Sequence, residues 1–116
     1  MPRLNRRLGE RQPVEATEIA WNIPPTGWRQ RLRPRDPAVG LIKDVSVTGA
    51  AIVAPADPSL HRGSTVPLAF GWIEGSVKVM RIDPSPDPKR LIYGVEFDRT
   101  DSPLAKAIHH AFLPKS

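Results

Sequence analysis

The chain contains no cysteine, which removes disulfide pairing and thiolate chemistry and fits a cytoplasmic protein. It has no stretch of the ~20 consecutive apolar residues that a membrane-crossing helix requires. Its N-terminal arginines are not followed by the apolar core of a secretory signal. A glycine-rich phosphate loop is missing, and Ser46 has no base beside it, since His61 falls in a loop; no catalytic constellation emerges and no enzyme is expected. Lysine is missing from residues 1–35, where Arg3, Arg6, Arg7, Arg11, Arg29, Arg31, Arg33 and Arg35 stand against Glu10, Glu15 and Glu18. That third carries the whole net charge of +5, because nine basic and nine acidic residues cancel in the remainder. Arginine offers a planar fork that holds phosphate or a guanine edge and stacks on a base, so a planar anionic partner is implied.

What is present is a succession of short alternating segments. At 116 residues the chain suits one domain with a modest core. Residues 1–12 lack apolar periodicity and read as a flexible basic arm, with the folded domain over 13–116. Pro13 to Asn22 reads as a strand whose apolar phase changes between Ala16 and Ile19, which asks for a bulge near Thr17 or Glu18. Trp28, Gln30 and Leu32 alternate with Arg29, Arg31 and Arg33 as a second strand, ended by Pro34 and Pro37. Val39 to Ile42, Ala50 to Ala54, Thr65 to Phe70, and the segment through Val77 and Val79 follow as strands. The run Ala50 to Ala54 is apolar without alternation, as expected of a strand covered on both faces. Pro67 argues for an edge or bulged position in its strand. Ile82 to Pro88 reads as a loop, because three of its residues are prolines. Leu91, Tyr93, Val95 and Phe97 share one face of the last strand.

A helix over about 102–113 closes the chain, capped by Asp101 or Ser102, with Pro103 at its first position. Leu104, Ala107, Ile108, Ala111 and Phe112 form its apolar face. The fold class is all-β: a small antiparallel barrel of six to seven strands with one C-terminal helix.

Chemistry concentrates in two places. Asp44-Val45-Ser46-Val47-Thr48-Gly49 lies between two apolar strands. On an extended chain Asp44 and Ser46 would share a face, and Gly49 permits a positive-φ turn or a close approach. The second place is the arm, where Arg7 and Arg11 precede the first strand. Arg-x-x-x-Arg before a first strand, followed by Asp-x-Ser-x-x-Gly between later strands, resembles the PilZ domain, the bacterial receptor module for cyclic di-GMP. The resemblance runs from about residue 6 to residue 113 and includes the close Leu91 to Phe97 followed by a helix.

That resemblance implies a split-barrel fold and a non-enzymatic second-messenger receptor needing no cofactor. Arg7 and Arg11 would take phosphate and guanine, Asp44 and Ser46 a guanine edge, and Gly49 would give the backbone room. Arg6, just before the arginine pair, resembles versions that favour a stacked ligand pair. The arm would order over the ligand, and because the domain fills the chain, an effector protein is expected to read the signal.

Each motif alone has a blander reading, a solvated basic tail for the arginines and a self-capping turn for Asp44 to Gly49. Two other functions stay open: a small basic barrel binding nucleic acid, which is disfavoured because the tryptophans are not on the basic face, and a ligand-independent adaptor. Other residues are assigned to structure. His109 and His110 diverge by about 100° on a helix, cannot share a metal and should be exposed. Asp57, Asp83 and Asp87 read as turn formers, and Trp21, Trp28 and Trp72 as core.

Overall fold

The fold is described from a computed structural model of the chain, over residues 12–23 and 38–113. Six strands are present in this part: β1 (Gln12–Trp21), β2 (Ala38–Val45), β3 (Gly49–Pro55), β4 (Thr65–Phe70), β5 (Ile73–Pro84) and β6 (Arg90–Phe97). One helix, α1 (Pro103–Phe112), follows them. All neighbouring strands are antiparallel, and they close into a barrel in the order β1-β2-β3-β6-β5-β4. The expected strand through Trp28 lies outside the described residues.

Closure depends on irregularities written into the sequence. Between Pro13 and Thr17 the register of β1 against β2 shifts, at the place where its apolar phase changes. The bulge turns Ile19 and Trp21 into the core. A second bulge, between Ile42 and Asp44 on β2, increases the local twist beside the Asp44 junction. The seam between β4 and β1 is short, with Ala20 opposite Ala69 and Trp21 opposite Leu68. There Pro67 accepts from Ile23 through its carbonyl at 3.1 Å. Its nitrogen faces the same side, past the end of β1, so the missing amide hydrogen costs the barrel little.

The interior is filled by Trp21, Ile42, Ile52, Leu68, Val79, Tyr93 and Val95 among others. Tyr93 stacks at a tilt against Trp21, with ring centroids 5.2 Å apart. Its hydroxyl donates to Pro55 O and accepts from Asp57 N, both at 3.2 Å. Burial pushes the phenol pKa above its ordinary value. β3 is buried almost throughout, Ala51 as well as Ala50 and Ile52, as its unbroken apolar run implies.

The antiparallel order places the start of β1, the β2–β3 turn, the β4–β5 turn and the end of β6 at one end of the barrel. α1 packs across that end, against β5, β4 and β2. Ser102 is its N-cap, accepting from Ala105 N at 3.1 Å. Leu104 seats where Gly75 has no side chain; a Cβ there would stand 2.8 Å from Leu104 Cβ. Phe112 leans on Phe70 with ring centroids 5.7 Å apart.

Three expectations are corrected. Trp72 is not core: it is 99% exposed. It forms, with Gly71, the two-residue turn between Phe70 and Ile73, and the positive φ of 62° at Gly71 identifies the type II′ geometry that tight hairpins favour. The loop placed at Ile82 begins later, because β5 runs to Pro84 opposite Leu91. Asp83 is therefore a strand residue, paired with Arg81 at 2.8 Å, whereas Asp57 and Asp87 do cap turns, accepting from Ser59 N and Lys89 N at 2.9 Å. On α1 the buried stripe is Leu104, Ala105 and Ile108, while Ala111 is exposed.

Candidate functional site

The Asp44 to Gly49 segment carries a hairpin turn held by hydrogen bonds of its own and by one from β6. β2 stops at Val45 and β3 starts at Gly49, leaving Ser46, Val47 and Thr48 between them. Ser46 N donates to Gly49 O at 2.8 Å. In return Gly49 N donates to the Ser46 hydroxyl at 3.1 Å, so the side chain replaces the backbone carbonyl that would ordinarily close the pair. The same hydroxyl lies 3.2 Å from Thr48 Oγ1. Phe97 N donates to Thr48 O at 2.9 Å, tying the turn to the end of β6.

This geometry gives the two motif side chains different surroundings. Ser46 is 1% exposed, and Asp44 is half-buried within β2, between Pro13 on β1 and Ala51 on β3. The placing of Asp44 and Ser46 together on one outward face therefore does not hold, because β2 ends at Val45 and Ser46 is already in the turn, where the two-residue alternation of a strand no longer applies. The serine hydroxyl builds the turn.

Gly49 also has a structural reason. Its φ is not positive, and a Cβ there would stand 1.9 Å from Val95 O and 3.0 Å from Glu96 Cα. Of the two expected uses of this glycine the close approach is the one realised, and what approaches is the backbone of β6.

Sequence reasoning missed His109. It was expected exposed and off the apolar face; it is half-buried, with Nε2 2.8 Å from Val47 O. A carbonyl only accepts, so Nε2 carries the proton. Phe97 meets the ring edge-on, centroids 5.5 Å apart and planes at 82°. The signal that could have found it is Ala105: once that residue is counted in the buried stripe, His109 lies one turn further along the same side. His110 is exposed, as expected.

Arg6, Arg7 and Arg11 lie outside the described residues, but the strand that continues from them does not. Gln12 is opposite Val45 and Pro13 opposite Asp44, so the arm joins the barrel beside the carboxylate of the other motif. A separate groove of about 400 Å³ on the barrel wall is lined by Glu18, Ala20, Val39 and Ala69 and includes none of the motif residues. Among the described residues no group of three or more His, Asp or Glu could hold a metal. Among them, too, no helix is long and apolar enough to cross a membrane.

The family profile for the PilZ domain matches residues 6–112, from the arginine arm to the end of α1. The chain belongs to the PilZ domain family. PilZ domains are binding and adaptor modules associated with cyclic di-GMP, and the six-stranded barrel with its C-terminal helix is the fold expected of one. No curated protein and no solved structure is significantly similar to the chain.

Proposed function

We propose that this PilZ domain is a non-enzymatic cyclic di-GMP receptor, with Arg7 and Arg11 taking the phosphates and a guanine face and Asp44 accepting from a guanine Watson–Crick edge. What supports the reading is the register at the start of β1: Pro13 beside Asp44 and Gln12 beside Val45 bring the foot of the arginine arm to the carboxylate. Arginine forks and a carboxylate are the complementary groups that two phosphates and two guanines call for. Arg6 extends the cationic run and suits a stacked ligand pair.

Ser46 and Gly49 serve the site by shape. The serine hydroxyl folds the Val47–Thr48 turn, and the glycine lets that turn lie against β6. Ligand binding orders the arm over the end of the barrel that α1 covers, and an effector protein reads the new surface.

Calorimetry tests this. Wild type should release heat with cyclic di-GMP, and Arg11→Ala and Asp44→Ala should each weaken binding by about tenfold or more, the loss of a charge-assisted hydrogen bond. A wild type that gives no heat with cyclic di-GMP but retains a single-stranded oligonucleotide, with affinity falling steeply as salt rises, would replace the receptor with a nucleic-acid-binding barrel.

A further inference from the structure

α1 and the motif turn lie far apart in the sequence, yet a hydrogen bond joins them. His109 Nε2 donates to Val47 O at 2.8 Å across 62 residues, and Phe97 holds the imidazole edge-on from the end of β6. Phe97 N meanwhile binds Thr48 O at 2.9 Å. The turn is thus gripped on successive carbonyls, Val47 by the helix and Thr48 by the strand. Ser46 and Gly49 fold the turn on itself, Phe97 ties it to β6, and the histidine alone of these ties it to α1.

We infer that His109 is a positioning residue for the ligand site, a clamp that sets the Val47–Thr48 turn and couples it to the docking of α1. The ligand half of this inference rests on the receptor reading; the structural half does not. Coupling works in both directions: whatever factor the clamp adds to ligand affinity, ligand must return to the docking of α1. The helix is then, besides the ordered arm, an element through which occupancy of the site reaches the protein surface.

The test uses the full chain and two variants. His109→Phe keeps a ring against Phe97 but has no donor, and His109→Gln restores an N–H at about the position of Nε2. In ligand-free protein, the amides of Ser46 and Gly49 should exchange with solvent about five- to tenfold faster in the Phe variant, the worth of one hydrogen bond. They should return towards wild type in the Gln variant. The amides of Ile52 and Val95, deep in β3 and β6, control for global opening. Nitrogen-15 spectra of wild type should show His109 as the Nε2-protonated ring.

With cyclic di-GMP, affinity should fall in the Phe variant by the same factor and recover in the Gln variant, and ligand should slow exchange along α1 in wild type but not in the Phe variant. Unchanged Ser46 and Gly49 exchange in the Phe variant overturns the clamp. Altered exchange with undiminished affinity overturns its role in the site. If wild type takes no cyclic di-GMP, the receptor reading is what fails, and the exchange rates alone then uphold or overturn the clamp.

Discussion

Replacing Gly49 with alanine should destabilise the whole barrel, not only a ligand site. The new Cβ would stand 1.9 Å from Val95 O, where ordinary contact begins at 3.4 Å, so β3 and β6 must separate locally by roughly 1.5 Å. The obstacle is backbone on a central strand, which cannot swing aside as a side-chain tip can. Forcing the strands apart stretches the Phe97 N to Thr48 O bond and disturbs the Gly49 N to Ser46 Oγ bond. Two hydrogen bonds at ~1 kcal/mol each and an overpacking cost of ~1–3 kcal/mol sum to about 3–5 kcal/mol. For a domain of this size that corresponds to a fall in Tm of roughly 12–20 °C.

Thermal melts followed by far-ultraviolet circular dichroism would measure it. Gly63→Ala is the control: its φ is +95° but no atom lies within 4 Å, so only backbone strain of ~1–2 kcal/mol is expected. If Gly49→Ala melts within about 2 °C of wild type and loses only cyclic di-GMP, the glycine serves the ligand and the packing argument is wrong.

Other consequences follow from single contacts. Tyr93 is the sole tyrosine, so phenolate absorbance reports it alone. Its pKa is raised by burial in the fold, so its contribution to stability is whole below the unfolded value of ~10 and is lost as pH climbs through the folded value; absorbance should therefore rise together with alkaline unfolding, and a simple titration near pH ~10 with the fold intact would contradict the burial. Ser102→Ala removes the cap on Ala105 N and should cost about 1 kcal/mol, read as a lower Tm; no change would mean that the α1 terminus is held by packing alone. Trp72→Ala should leave Tm within about 2 °C of wild type, since the ring is 99% exposed; a large drop would return this tryptophan to the core.

The parts of the fold that were legible in the sequence are those set by local pattern. Alternation from Leu91 to Phe97 placed β6, the phase change before Ile19 placed the β1 bulge, and Ser102-Pro103 marked the start of α1. What failed were features decided by neighbours remote in sequence. Trp72 looked like core because a type II′ turn and a strand continuing through Gly-Trp-Ile read alike until the register of β4 against β5 is known. Pro84 suggested a loop, yet beyond Val79 the strand β5 pairs with β6 alone, where a missing donor is tolerated.

In the site, the motif gave the right turn. Ser46 and Gly49 also carry structural contacts that the motif did not reveal, and Asp44 stands in β2 opposite Pro13 at the start of β1. His109 was invisible because its partner, Val47, is 62 residues away.

The central claim is that the arginine arm and the Asp44 turn meet on one cyclic di-GMP. Because the chain has no cysteine, a spin label on Leu8→Cys would be unique, and paramagnetic broadening of backbone amides would map where the arm goes. The account predicts that adding cyclic di-GMP broadens the amides from Asp44 to Gly49, and that Asp44→Ala abolishes the effect. Broadening that ligand leaves unchanged, or that falls on the opposite end of the barrel near Pro55 and Pro84, would contradict it.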